Sequence, residues 1–436
     1  MVKHTYVSVR RIVWLMCILC LLLPLSVTAS PAEVSCQLED TTRAVDRLSD
    51  LAETYLGAAE LYPAILVATQ LKHTTDATFA ALIDPQQPEA GLKLCIPTRD
   101  QAPQLKHAVL DASGRLVLFA DTPKRVVIAG KASFLVADAA YTFPQAGRLI
   151  ACITQGGQAA TEFLKLVDPA FGDKMALEGD AGPEQIAAAH PDAVILKSYM
   201  AAKLGAPLEQ LNIPVVYVDL ETPEQYLRDL EVLGQLLGDP VRAAAVRAFY
   251  RTRLERVTDI SQMVPEAQKP RVLLLQYSLQ GGHVALNVPP ASWIQTRMVE
   301  LAGGNPVWRD GVQGSGWSIV NLEQIAAWDA DVIVLVAYSD DPIQVVSRLK
   351  ADAQWQQLAA VRNGRLYAFV KDFVSWDQPD TRWILGLTWL AGKLHPDRFT
   401  SIDIKQETVA FYHQLYGIDP AIVQQVILPM LQGNVE

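Results

Sequence analysis

From residue 126 onward, short β-branched apolar runs alternate with helical stretches. Residues 126–129 (VVIA), 193–196 (AVIL), 214–218 (PVVYV), 271–275 (RVLLL) and 331–336 (DVIVLV) are, after the leading Arg271 and Asp331 of the last two, apolar strands of the kind buried on both faces. Strands of this type separated by helices predict parallel sheets covered by helices, an α/β architecture. Just before them, residues 107–111 and 115–119 flank Ala112-Ser113-Gly114, a hairpin signal. One helical pattern is much longer than the rest and covers residues 223–262. Gly238-Asp239-Pro240 interrupts it, with Asp239 suited to the N-cap and Pro240 to the first helical position. The stretch 240–263 runs about six turns, ~36 Å, and separates two groups of strands. It predicts a rigid spine, 239–263 with its cap, between an N-terminal lobe at 106–238 and a C-terminal lobe at 270–433.

Upstream, residues 36–105 read as a small α+β unit. Residues 46–55 and 62–68 have helical apolar spacing with a break at Gly57, and residues 91–97 form a strand after a turn. Before this unit the pattern changes again. Lys3, Arg10 and Arg11 precede an apolar run at 12–27, and Ser30 and Ala32 supply the small residues of a cleavage site. Residues 1–32 are thus expected to be a secretory signal peptide rather than a ~20-residue membrane span.

Export changes the charge. The chain has 37 basic and 47 acidic residues; losing the three basic leader residues takes the net charge to −13. So acidic a chain has no reason to seek nucleic acid or anionic membrane surfaces. It also puts Cys36, Cys95 and Cys152 in a compartment that permits disulfides. A Cys36–Cys95 bridge would staple the small unit and leave Cys152 as a buried thiol.

The two groups of strands share a repeat. Glu184-Gln185-Ile186-Ala187-Ala188 and Glu323-Gln324-Ile325-Ala326-Ala327 each precede an aspartate (Asp192, Asp331) and then a buried strand, at a constant offset of 139 residues. A recurring helix–strand unit argues for two similar lobes. Both glutamates fall in a helix first turn, where an acid favours the dipole by ~0.3–1 kcal/mol.

The order hairpin, Pro123-Lys124-Arg125-Val126-Val127, Glu184-Gln185-Ile186, spine helix, Gly316-Trp317-Ser318-Ile319-Val320-Asn321-Leu322-Glu323-Gln324-Ile325 and Trp376-Asp377 resembles the helical-backbone substrate-binding proteins of ABC importers, over residues 106–433. That resemblance implies two Rossmann-like lobes joined by one helix, with small lobe closure and a cleft for a ferric siderophore, haem, a corrinoid, or molybdate or tungstate. It further implies a monomer in the periplasm or on the outer face of the membrane, with Glu184 and Glu323 docking on a permease dimer served by separate ATPase subunits. The turn at Tyr141-Thr142-Phe143-Pro144 departs from that family's Leu-Gly-Ala-x-Asp-like pattern. In the small unit, Tyr55-Leu56-Gly57, Leu61-Tyr62-Pro63, Ile83-Asp84-Pro85 and residues 91–97 resemble a LysM module, a glycan-binding family, and imply a peptidoglycan partner. The first strand of that family and its Gly-Asp-Thr turn are not evident here.

In open α/β sheets ligands sit beyond the carboxyl ends of strands. That rule selects Lys131, Ser133, Lys197, Ser198, Tyr199, Gln276, Tyr277, Asp372 and Phe373, with Trp293, Trp317 and Trp376 in nearby loops. Rings that stack and a few cations suit a flat anionic chelate. Ser292 would cap a helix at 293–301 whose free amides face an anion. Tyr199 or Tyr277 could serve as a haem axial ligand. The six histidines beyond the leader have no ligand-like spacing, which argues against a bare transition-metal site, and no resident cofactor is expected. The phosphate loop, nucleophile elbow and His-Glu-x-x-His patterns are all incomplete or missing. The expectation is therefore a non-enzymatic receptor, with a cell-wall hydrolase and a ligand sensor as the alternatives.

Overall fold

The computed structural model describes residues 34–436 apart from 44, 156–160, 282 and 313. The leader read at 1–32 lies outside the described residues. Among the latter, no helix is long and apolar enough to cross a membrane.

The N-terminal unit is a β–α–α–β module. Strand β1 (Cys36–Thr41) pairs antiparallel with β2 (Lys93–Pro97), and helices Leu48–Leu56 and Tyr62–His73 lie between them in the chain. β1 is an element the sequence pattern misses. It is an edge strand whose alternate residues are exposed, with only Cys36 and Leu38 as apolar positions to mark it. A disulfide joins Cys36 to Cys95 across this pair, while Cys152 is free and buried in the next lobe. The module has its own apolar cluster, yet polar contacts fasten it to the helices behind it. Gln235 Nε2 donates to Gln70 Oε1 at 2.6 Å, Arg247 Nη2 donates to the Ile83 carbonyl at 2.7 Å, and Arg251 pairs with Glu89 at 2.9 Å.

The hairpin β3 (Val109–Leu110) and β4 (Leu116–Val117) leads into the N-lobe. The N-lobe sheet contains β5 (Val126–Ile128), β6 (Ile150–Gln155), β7 (Met175–Glu178), β8 (Ala193–Lys197) and β9 (Val215–Val218) in the order β7-β6-β5-β8-β9, all parallel. Its two faces feed different apolar clusters, Val126 and Ile128 on one side and Val127 and Ala129 on the other, as strand alternation requires.

The C-lobe departs from the all-parallel expectation. β10 (Arg271–Gln280), β14 (Val332–Ala337) and β15 (Leu366–Ala368) are parallel, and the short β12 (Asn305–Pro306) runs parallel to β10. However, β11 (His283–Val288) runs antiparallel to both β10 and β13 (Ser318–Val320). The reason is local. Gly281, at φ 57°, turns the chain straight back after β10, and a tight hairpin can only join antiparallel strands.

The spine helix Pro240–Ser261 joins the lobes, with Asp239 accepting from the Arg242 amide at its N-cap. Arg242 reaches both sides. Its Nε donates to Thr142 O in the N-lobe and its Nη2 to Gln414 O and Leu415 O in the C-lobe. Tyr250 stacks on Trp383 at 5.5 Å and donates to Thr381 O. A single apolar cluster runs from the N-lobe sheet through this helix to the C-lobe sheet.

Candidate functional site

Between the lobes lies a cleft of about 730 Å³. The N-lobe contributes the turn after β5 (Gly130 to Ala132), the first turn of helix Ser133–Ala140, Gln155, Asp180, Tyr199 and Glu221. The C-lobe contributes Trp293, Ile294 and Gln295 at the start of helix Ile294–Leu301, with Trp317, Tyr338, Gln378 and Pro379.

Two eight-residue helices thus present their first turns to one space. In the N-lobe, Gly130 (φ 80°) and Ala132 (φ 58°) occupy left-handed backbone, turning the chain sharply from strand to helix and leaving Lys131 exposed on the turn. Ser133 turns its hydroxyl away, donating to Thr154 O at 2.6 Å, so that it offers the cleft its backbone. In the C-lobe the N-cap is Trp293, without a side-chain cap, and not Ser292: the helix begins one residue later than the sequence suggests, and Ser292 stays exposed outside it. Early amides of a helix carry partial positive charge and lack intrahelical acceptors, so both first turns favour an anionic group.

Trp293 and Trp317 meet edge-to-face at 5.5 Å, and Trp317 meets Tyr338 at 6.3 Å. Tyr199 is 56% exposed over the opposite wall, its hydroxyl 3.5 Å from Lys131 O. Partial burial and then the charge of Glu221 push its phenol upward, which keeps it neutral.

The remaining selected residues do not line the cleft. Lys197 is fully buried, donating to Asp219 O and pairing with Glu221 Oε1 at 2.8 Å, so it neutralises a wall acid instead of meeting a ligand. Ser198 Oγ donates to the Asp219 carboxylate. Gln276 accepts from Asn287 at 2.7 Å inside the C-lobe sheet, and Tyr277 is buried there beneath Arg348. This removes Tyr277 as an axial ligand and leaves Tyr199 on the cleft wall. Asp372 is fully buried at 2.7 Å from Arg382, Phe373 packs on Phe163 at 5.3 Å, and Trp376 is a core residue whose Nε1 donates to Asp372 at 3.1 Å.

Asp180, Glu221, Gln295, Gln378 and Pro379 also line the cleft, and no sequence pattern marks them. Asp180 and Glu221 sit in ordinary loop sequence. Gln295 reads as one more polar residue on an amphipathic helix. Among the described lining residues, then, one lysine faces two acids, one of which Lys197 already neutralises. No group of three or more His, Cys, Asp or Glu among the described residues could hold a metal ion.

Beneath the cleft a fully buried ion cluster ties the lobes together. Arg382 of the C-lobe contacts Asp138, on the N-lobe helix Ser133–Ala140, together with Asp372 and Asp380. Tyr416 and Thr381 also donate to Asp138, at 2.9 and 3.2 Å. Burial raises the Asp380 carboxyl above the usual carboxylate range; Arg382 opposes that rise, while Asp138 and Asp372 add to it.

Glu184 and Glu323 are both exposed, each in the first turn of its helix, Pro183–Ala187 and Leu322–Trp328. In each, the glutamine that follows folds back to accept from the N-cap amide: Gln185 from Gly182 at 2.8 Å and Gln324 from Asn321 at 3.1 Å. The repeat is therefore also a repeat of local geometry.

The two-lobed, helix-joined architecture is shared with solved periplasmic solute-binding proteins. Residues 174–372 match the periplasmic binding protein family. The chain is 23% identical over 268 residues to the molybdate-binding protein MolA of Haemophilus influenzae, a match covering 56% of this chain and 73% of that protein. Among solved structures it resembles a periplasmic solute-binding protein of Veillonella parvula (22% identity, TM-score 0.61, covering 74% of this chain and 96% of that one). It also resembles molybdate-bound MolA (19%, 0.59, 72% and 98%) and an ABC transporter solute-binding protein of Sulfurospirillum deleyianum (22%, 0.59, 73% and 99%). At these identities the structural likeness establishes a shared fold.

Proposed function

We propose that the chain is the extracytoplasmic solute-binding component of an ABC importer, capturing a ferric siderophore or related metal chelate in the interlobe cleft and delivering it to a permease. The observation that carries this reading is the cleft itself. It has a volume typical of organic-ligand sites, is formed by both lobes, is walled by Trp293 and Trp317, and receives two helix first turns. Such a space exceeds what a tetraoxo anion fills, and the rings offer a chelate apolar faces. Glu184 and Glu323, one per lobe and similarly presented, are the positions expected to dock on the two permease subunits. The β–α–α–β module suits a glycan-binding tether to peptidoglycan, and retention of the intact protein on peptidoglycan is the readout for that role.

A second cargo, molybdate or tungstate, is favoured by the similarity to MolA and by the two converging helix first turns. The test is tryptophan fluorescence of the exported form, titrated with ferric siderophores, ferric citrate, haem, a corrinoid, molybdate and tungstate. Saturable quenching by one ligand identifies the cargo. No response from any of them would overturn the receptor reading and raise the hydrolase and sensor alternatives.

A further inference from the structure

Gln295 occupies the second position of helix Ile294–Leu301, lines the cleft, and is 3% exposed. Its Nε2 donates to Asp377 Oδ2 at 3.2 Å. The same Asp377 oxygen accepts from the Tyr338 hydroxyl at 2.8 Å, and its other oxygen accepts from Ser375 Oγ at 2.5 Å. Asp377 is fully buried, which pushes its carboxyl upward; these three donors and its own backbone N–H work against that rise and favour the carboxylate. Turning the Gln295 amide over would set its carbonyl oxygen against the carboxylate, two acceptors face to face. The network thus commits the amide nitrogen to Asp377 and leaves Oε1, buried on a side chain that lines the cleft, without a partner. Oε1 accepts a hydrogen bond from no described residue. A buried carbonyl left without a donor is costly, and a group that supplies one is correspondingly selected.

The charges of the cleft agree. Lys131 is opposed by Asp180, and Glu221 is already paired with Lys197, so the described lining residues hold no excess of cations for a bare dianion. We infer that Gln295, held as an acceptor by Asp377, Tyr338 and Ser375, is a specificity-determining residue that selects a ligand presenting a hydrogen-bond donor, such as a hydroxyl, an amide N–H or a metal-bound water, and discriminates against a fully deprotonated tetraoxo anion. The inference rests on the receptor reading and deepens it. The oxygen-rich face of a chelate meets the helix first turns, and its donor edge faces Gln295. Asp377, Tyr338 and Ser375 are positioning residues that fix which end of the amide the ligand meets.

The test is isothermal titration of the exported protein and of two variants, Gln295→Leu and Asp377→Asn, with four probes: ferrioxamine B (which carries amide N–H and ammonium donors), ferric citrate, molybdate and tungstate. Circular dichroism confirms folding of each variant. The wild type is expected to bind a donor-bearing chelate more tightly than either oxyanion. Gln295→Leu should weaken that chelate by roughly ten- to a hundredfold and leave the oxyanions unchanged. Asp377→Asn, which can itself donate to Gln295 and so releases the amide, should narrow the chelate-to-molybdate ratio. A pure packing defect would move all four probes together and would overturn the inference. A wild type that prefers molybdate or tungstate overturns it while leaving the receptor reading intact. So does a chelate affinity that Gln295→Leu does not change. Failure of all four to bind removes both the inference and the reading beneath it.

Discussion

Single side chains behind the cleft carry large electrostatic consequences. Asp229 is fully buried, and its Oδ2 accepts from the Asp219 and Leu220 amides at 2.6 and 2.7 Å while Arg228 pairs with its other oxygen. Burial outweighs these contacts and pushes its carboxyl up to about 6. Its folded-state value therefore lies above the unfolded one. Between about pH 4 and 6 the folded state holds the proton that the unfolded state releases, so this group makes stability fall as pH rises through that window, by on the order of 2–3 kcal/mol. Asp229→Asn, whose carbonyl can still accept from both amides, should flatten that part of a stability–pH curve measured by urea unfolding. Arg382 presents the opposite hazard. Arg382→Met would leave Asp138, Asp372 and Asp380 buried without their cation. Loss of one partner from a buried ionic group costs about 3–5 kcal/mol, and the urea midpoint should fall accordingly at unchanged slope. The same contrast explains which site residues can be read from sequence. Lys131 follows a glycine at a strand end, and the turn has to carry it outward. Lys197 also ends a strand, but all five residues of β8 are buried, and a strand buried on both faces has no alternation to show which way its last side chain points.

At the scale of elements, close approach of helices is decided by small residues. Gly234 lies in helix Pro223–Leu237 against the start of the spine, where an added Cβ would come within 2.5 Å of the Ala243 Cβ. Gly234→Val should force these two helices apart and cost about 1–3 kcal/mol or more; differential scanning calorimetry checks it, with an unchanged melting temperature counting against this packing. The spine itself was legible, cap included, because Asp239 and Pro240 are local signals. β1 and the reversal at β11 were not, since an edge strand with two apolar residues and a hairpin that replaces a crossover depend on the sheet they join. Trp293 and Trp317 line the cleft whereas Trp376 is core, although all three lie in loop sequence. Which way a loop tryptophan turns depends on the elements packed around it.

At the scale of the molecule, Arg242 and Tyr250 fasten the spine to the lobes, and the Asp138–Arg382 cluster ties the lobes to each other. Lobe closure on ligand should be small, and small-angle scattering with and without bound cargo is expected to show little change in radius of gyration. Reversing both Glu184 and Glu323 to arginine should abolish uptake by cells while leaving ligand affinity of the purified protein unchanged, because neither lines the cleft. Uptake that survives both changes would refute the docking assignment.

What the sequence determined by itself was everything encoded locally or periodically: buried strands, the capped spine, the paired Glu-Gln-Ile helices and the two-lobed α/β plan. These follow from propensity, capping and hydrophobic period, each acting within a few residues of chain. Only the tertiary structure decided which strand-end residues face the cleft, that Lys197 serves Glu221, and that Gln295 presents an oxygen. Gln295 and Asp377 are 82 residues apart. Whether a polar group meets a ligand or a partner is settled by which distant groups burial forces into hydrogen-bond reach of it, and no local pattern records that.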